Sequence, residues 1–370
     1  MKLTQTRESL LESLQTTLGA IEKRHTSPIL ENVLINVRAG QVYWRGTDME
    51  LEITTRSPVI EAEEGDITIP ARKLADICKA LPTESLVTLS VVEEDKRVLV
   101  TCGRSRFELV TLPASEFPEL DDIGETNSFT LPENELKTLL DSTAFAMANQ
   151  DVRYYLNGML LEMTAAHIRT VSTDGHRLSL CTHPYQPENF QGNTQVILPR
   201  KGVLELSKLL RSDSQIPITI QLSQNHLRAQ VDQIRFTSKL VDGRYPDYQA
   251  AVPAQGHIQL ELDRKEFKDM LSRVVILSNE KFRGVRLNLS NNTLRVQSNN
   301  PEQETAMDEI DVNYQGDEFN IGFNINYLQD AVSHLSSENL LLQLNSPDSS
   351  ALVTDPADET RCNVIMPIRL

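Results

Sequence analysis

The stretch Ser172 to Ser179, STDGHRLS, sets an acid, an imidazole and a guanidinium in four consecutive residues, Asp174 to Arg177. An acid beside a histidine is the orienting and basic part of a nucleophilic triad, and an arginine fork suits a carboxylate or a phosphate. A serine or cysteine hydrolase also needs a nucleophile on a strained elbow such as G-x-S-x-G, and the chain has none. A metal centre needs ligand spacing, and the seven histidines form no HxH, HxxxH or HExxH pair. A nuclease needs several convergent carboxylates to hold its ions. Three readings therefore stand side by side. One is a nucleic-acid-processing enzyme centred on Asp174, His176 and Arg177; another is a half-buried histidine bonded to its neighbours. The third is a recognition surface, in which Gly175 admits a partner's backbone and His176 and Arg177 supply donors.

A threefold repeat must position these residues. Leu3–Leu14, Phe129–Leu140 and Leu260–Leu271 each read as a short strand entering a helix, with apolar pairs Leu10/Leu14, Leu136/Leu140 and Phe267/Leu271 at i,i+4. Pro132 fits the first turn of the second of these helices, where a missing N–H costs nothing. Alternating segments follow each helix, with tight turns expected at Ala39-Gly40 and Asn291-Asn292. A second helix is expected in each copy, in PARKLADICKAL, PRKGVLELSKLL and FNINYLQDAVSHL. Each unit then closes on further strands. The fold class is α+β: three repeated domains, 1–125, 127–251 and 255–370, each with two helices packed on antiparallel sheet whose other face meets water. Whole-domain repetition suits a scaffold better than an enzyme built round one cleft. Within the repeat, Thr173-Asp174 falls on Thr47-Asp48 and roughly on Ser298-Asn299. The Thr-Asp element is thus expected to be a strand-ending turn, and only Gly175 to Leu178 is particular to the middle copy.

The totals set limits on partners. The 370 residues, 39% hydrophobic and 24% charged, are those of an ordinary globular protein. No apolar run approaches the ~20 residues of a membrane span, and the N-terminus lacks a secretory core. Four scattered cysteines with no CxxC pair point to a reducing cytoplasm. The net charge of −16 argues against a surface that grips nucleic acid everywhere, but leaves room for a local basic patch.

Longer motifs carry a family resemblance. QDVRYYLNGM, TDGHRL, FTSKLVDGRYPDY, LSNEKFRGVRL, NNPEQE and the terminal MPIRL resemble the bacterial β sliding clamp, the processivity subunit of the replicative DNA polymerase, over essentially the whole chain. The resemblance implies a non-catalytic protein without cofactor or metal, whose six domains close a ring around duplex DNA as a head-to-tail homodimer. It implies sequence-independent DNA contact by Arg24, Gln150, Tyr154 and Tyr155. Arg72, Lys73, Lys79, Arg200, Lys201 and Lys208, on or beside the second helices, are the expected phosphate-facing cations. The third copy of that helix has none. The resemblance also implies a groove that docks short peptides of the polymerase catalytic subunit, clamp-loader subunits and repair proteins. Its residues here are Leu156, Thr173, Gly175, His176, Arg177, Leu178, Pro246, Ser350, Val364, Met366, Pro367, Ile368 and Arg369. Ala250 and Ala251 depart from the family pattern of a basic then an aliphatic residue, which predicts a shallower, less charged rim. At the ring seam, Phe107 and Leu109 are expected near Ile276 and Leu277, and Lys73, Arg104 and Arg106 opposite Glu302 and Glu304.

Overall fold

The computed structural model describes residues 1–22, 27–92, 97–120, 123–124, 127–185 and 193–369. Arg24 and half of the stretch Asp122–Asn127 lie outside these residues. Six α-helices are described: α1 (Arg7–Leu18), α2 (Ala71–Ala80), α3 (Glu133–Asp141), α4 (Arg200–Leu209), α5 (Arg264–Val274) and α6 (Ile325–Ser333). They fall where the i,i+4 pattern placed them, and Leu10, Leu14, Leu136, Leu140, Phe267 and Leu271 are all buried. Side-chain caps fix several starts: Thr6 accepts from Ser9 N at 3.3 Å, Asp263 from Glu266 N at 2.7 Å and Asn324 from Asn326 N at 2.9 Å. Pro132 closes the strand Asn127–Pro132 instead of opening α3. It pairs with Pro217 at the strand end, where neither residue has an N–H to leave unsatisfied.

Each repeat is itself a pair of β-α-β-β-β halves. In the first, Lys2–Thr6, α1, Asn32–Arg38, Gln41–Thr47 and Leu51–Pro58 are followed by Gly65–Pro70, α2, Leu86–Val92, Arg97–Cys102 and Ser105–Val110. The same order recurs in the second and third repeats. The expected tight turns are present, with Ala39 and Gly40 at φ 49° and 71° and Asn291 and Asn292 at 49° and 61°.

The chain separates into two compact units, Met1–Asn134 with Leu204–Leu240, and Glu135–Val203 with Val241–Leu370. Packing and repetition thus divide the chain differently, because sheets run across repeats. In the first unit, Ile234–Lys239 pairs antiparallel with Leu51–Pro58 inside an eight-stranded sheet. In the second, Asp358–Ile365 pairs in the same way with Arg177–Pro184 inside another. The third strands of this kind are left at sheet edges: Ser105–Val110 ends a five-stranded sheet and Thr305–Asp311 ends a four-stranded one. Beneath the sheets of the first unit a core gathers round Leu10, Leu14, Trp44 and Leu74, with Trp44 Nε1 donating to Ser57 Oγ at 3.0 Å. In the second, Phe267, Met270, Leu271 and Phe323 do the same.

Candidate functional site

Thr173 and Asp174 form a strand-ending turn. Thr173 Oγ1 donates to Arg177 O at 2.5 Å and accepts from Gly175 N at 3.1 Å. Asp174 Oδ1 accepts from His176 N at 2.9 Å and from Arg177 N at 3.1 Å. Thr47 and Asp48 make the same four bonds with Leu51 O, Met49 N, Glu50 N and Leu51 N, at 2.7–3.0 Å. Gly175 holds φ +89°, and the guanidinium of Arg153 lies 2.9 Å from where a Cβ would stand.

Asp174 bonds the backbone N–H of His176 and not its ring, so the acid–base half of a triad is not assembled. Its second oxygen takes Arg177 Nε at 3.0 Å. Arg177 is committed to bracing: it also donates to Asp330 and, at 2.7 Å, to Phe145 O. Its guanidinium lies 4.5 Å from the Tyr327 ring centroid and 5.4 Å from that of Phe145. His176 is exposed and stacks on Tyr327 with centroids 6.5 Å apart. Phe145, Arg153, Tyr327 and Asp330 were not anticipated, since their partnership with the turn arises between segments distant in sequence.

Around the turn the other groove residues converge. Leu156, Leu178 and Val364 are buried in one apolar cluster with Leu160, Val171, Tyr245 and Tyr248. Across the strands, Thr173 stands opposite Leu178, Leu178 opposite Val364, and Val364 opposite Leu352, two residues beyond half-buried Ser350. Thr173 N donates to Tyr245 Oη at 3.1 Å, anchoring the segment that carries Pro246, and burial raises the Tyr245 phenol well above its ordinary value. Met366 N donates to His176 O at 2.9 Å, which leaves its side chain 42% exposed beside the turn. Ile368 N bonds Gly322 O at 2.8 Å; Pro367 and Ile368 are half-buried and Arg369 is exposed. Tyr248 donates to buried Glu162 at 2.9 Å, and Arg169 donates to Tyr248 at 2.9 Å. Ala250 and Ala251 are exposed on the short helical turn Gln249–Ala251 just beyond. Buried apolar side chains thus lie beneath an exposed, flexible Met and an exposed, stacked His, which together offer apolar contact and a polar ring to a partner.

The basic and aromatic residues are placed unevenly. Lys73, Lys79 and Lys208 are exposed, with Lys79 3.6 Å from Asp76 and Lys208 2.7 Å from Glu205. Arg72 donates to Ile21 O at 2.7 Å and Arg200 to Met147 O at 3.1 Å, so these two help to hold loops in place, and Lys201 is half-buried. Gln150 is exposed at φ +57°. Tyr154 is 58% exposed, whereas Tyr155 packs against the apolar cluster and meets Tyr154 edge-on at 5.8 Å. Helix α5 adds Arg264, Lys265, Lys268 and Arg273, cations of the third repeat that attention to the second helices had passed over.

On the edge strand Ser105–Val110, Arg104 just before it and Arg106 within it are exposed, while Phe107 and Leu109 turn toward the core. Ile276 is 75% exposed, Leu277 is half-buried in the turn Val275–Leu277, and Glu302 and Glu304 are exposed in the loop before Thr305–Asp311. Among the described residues, no group of three or more His, Cys, Asp or Glu could hold a metal ion.

Family models of the DNA polymerase III beta subunit match the chain in three consecutive pieces: the N-terminal domain over residues 1–121, the central domain over 130–247 and the C-terminal domain over 249–369. The chain belongs to the β sliding-clamp family. It is 46% identical to the beta sliding clamp of Pseudomonas aeruginosa and 45% identical to that of Escherichia coli K12, each over 371 aligned positions covering all of both chains. A crystal structure of the Pseudomonas aeruginosa protein superposes with a TM-score of 0.93 at 46% identity, over the full length of both chains. The same protein has been solved bound to griselimycin, with a TM-score of 0.94 to this chain. In this DNA sliding clamp, STDGHRLS is a strand-ending turn whose acid bonds local backbone N–H groups and the Arg177 guanidinium.

Proposed function

We propose that two copies of the chain close head to tail into a ring on duplex DNA, tethering the replicative polymerase for processive synthesis without chemistry of its own. The observation that carries this reading is the pattern of strand pairing. Two sheets are completed by pairing the last strand of one repeat with the fourth strand of another. The remaining strands of that kind, Ser105–Val110 and Thr305–Asp311, end their sheets unpaired. A second copy can complete the pattern: five strands and four would join into one sheet, and both exposed edges would be removed from competition with aggregation. Exposed Met307 and Val110 give this seam apolar surface, and Arg104 and Arg106 face Glu302 and Glu304 across it.

In this reading the domains are 1–125, 127–251 and 255–370; Lys73, Lys79, Gln150 and Tyr154 are the most available DNA contacts among the described residues, and Arg24 is a further contact that the family resemblance implies. Contact with phosphates alone lets the ring slide. The groove round His176, Leu178, Val364 and Met366 receives linear peptides from polymerase, clamp-loader and repair proteins, one at a time. The commitment of Asp174 and Arg177 to bracing supports a non-catalytic role. Free, mostly buried cysteines suit the cytoplasm.

The test is topological. Loaded on nicked circular DNA, the protein should co-migrate with the circle through gel filtration and be lost when that circle is cut to a linear form. Equal retention on both forms refutes the ring, and metal-dependent strand cleavage revives the enzyme.

A further inference from the structure

The junction sheet of the first unit repeats the backbone of the groove sheet with opposite chemistry. In the groove, one row across the strands runs Thr173, Leu178, Val364, Leu352. The register-equivalent row in the first unit runs Thr47, Glu52, Thr237, Arg228. The adjoining groove row is Leu160, Val171, Leu180, Cys362, and its counterpart is Leu34, Arg45, Thr54, Arg235. Even the closing bond is shared: Lys239 N donates to Glu50 O at 2.8 Å, as Met366 N does to His176 O. An apolar floor in one sheet is thus a guanidinium-lined floor in the other, on the face away from core residues Val33, Ile35 and Trp44.

This face is concave. A cavity of about 390 Å³ is lined by Leu34, Asn36, Tyr43, Arg45, Glu119 and Arg235 among others. It adjoins a second depression of about 330 Å³ that shares Tyr43, Thr54 and Arg235 and adds Arg56 and Gln230. Tyr43 is 41% exposed there. Arg235 Nε is buried with no hydrogen-bond partner among the described residues, and its charge acts on buried Glu52. The chain already places one carboxylate in this setting: Glu119, 81% exposed, reaches Arg45 at 3.1 Å from the segment beyond Phe117. Arg45 also lies 3.8 Å from buried Glu52, Arg38 pairs with Asp66 at 3.3 Å and Arg56 with Gln233. Scattered acids of this kind leave room for single carboxylates between them, whereas a continuous polyanion would meet Glu119, Asp66 and Asp232 as well as a net charge of −16.

We propose that this groove is a second docking site, taking a short acidic peptide segment that carries an aromatic or aliphatic residue. One carboxylate of the ligand meets the Arg235 guanidinium where it lines the cavity, another replaces Glu119 on Arg45, and the apolar side chain lies on Tyr43 and Leu34. The two junction faces then recruit partners of different chemistry on one scaffold.

The probe is a fluorescein-labelled hexapeptide with two glutamates flanking a central phenylalanine and neutral residues elsewhere, titrated against the full-length protein by fluorescence anisotropy. Saturable binding is expected, weakened about tenfold or more by Arg235→Gln, which removes a charge-assisted pair. Thr54→Glu keeps every arginine and offers them an internal carboxylate; it should abolish binding without lowering the melting temperature. Unchanged affinity in either variant overturns the proposal, as does no saturation up to millimolar protein. Loss of binding in His176→Ala/Met366→Ala would place the probe in the other groove and overturn it too. Competition by a duplex oligonucleotide, sensitive to the same two variants, would make the site a phosphate site instead.

Discussion

Replacing Arg177 by Ala should loosen the fold of the second unit before it affects any partner. The side chain is 12% exposed and bonds Asp174 Oδ2 at 3.0 Å, Asp330, and Phe145 O at 2.7 Å, between the rings of Phe145 and Tyr327. Losing the donor to the Phe145 carbonyl costs about 1–3 kcal/mol where that oxygen stays dry. Losing two ring faces costs roughly 1 kcal/mol in total at this partial exposure. The pair with Asp330, 43% exposed, adds well under ~1 kcal/mol after screening. The sum is about 3 kcal/mol, concentrated where helix α6 meets the strand Arg177–Pro184. Native-state hydrogen exchange reads this locally: amides of Arg177–Pro184 and Ile325–Ser333 should lose protection by about that amount, while the core round Leu10 and Trp44 stays unchanged. Arg177→Lys should recover less than half, because an ammonium cannot serve an acid, a carbonyl and two ring faces at once. If Arg177→Ala lowers protection by less than ~1 kcal/mol, or lowers it equally in both units, the bracing argument is wrong.

Other outcomes follow from the same geometry. His176→Ala with Met366→Ala should abolish binding of a peptide bearing Leu and Phe anchors while light scattering still reports a dimer; dissociation to monomer would mean the groove has been misplaced. Gly175→Ala should destabilise by about 1–2 kcal/mol in a urea melt, since φ +89° disfavours a Cβ and the Arg153 guanidinium would have to move; an unchanged midpoint would show that the turn relaxes freely. Burial opposes ionisation of Glu162, but donors from Gln195, Tyr248 and His167 and the charge of Arg169 outweigh it and hold the carboxyl below its ordinary value. A lowered folded value contributes stability above the ordinary carboxylate range that is lost as pH falls through the depressed one. Glu162→Gln should therefore flatten the acid limb of the stability curve; an unaltered limb refutes the assignment.

Much of the fold was legible because it repeats. Leu10/Leu14, Leu136/Leu140 and Phe267/Leu271 mark helices by spacing that three copies confirm against chance, and Ala39-Gly40 and Asn291-Asn292 mark turns by chemistry local to two residues. The Thr-Asp turn was legible for the same reason, since its acceptor and donors lie within five residues. The halving of each repeat was not, although each second helix is led in by a strand, two of them ending in proline at Pro70 and Pro199. Paired helices share few surface residues, and the shared order of strands reveals them. Nor were the partners of Arg177 legible: Phe145, Tyr327 and Asp330 come from three separated segments, and pairing of that range leaves no spacing to read. Of the tyrosine pair in QDVRYY, composition alone could not decide which ring turns inward; burial selects Tyr155.

The two Thr-Asp turns share four bonds made by two side chains and the backbone, and both hold the first inner residue at positive φ, 77° at Met49 and 89° at Gly175, so the turn fixes that backbone but not the chemistry of the inner side chains. Met49-Glu50 and Gly175-His176 occupy one frame with nothing in common chemically. For protein engineering this makes the turn a cassette: its second inner residue and the strand rows behind it can be rewritten together without redrawing the chain path, while the first must keep its positive φ. A graft of an apolar row onto the arginine face would convert one kind of recognition into the other on an unaltered frame.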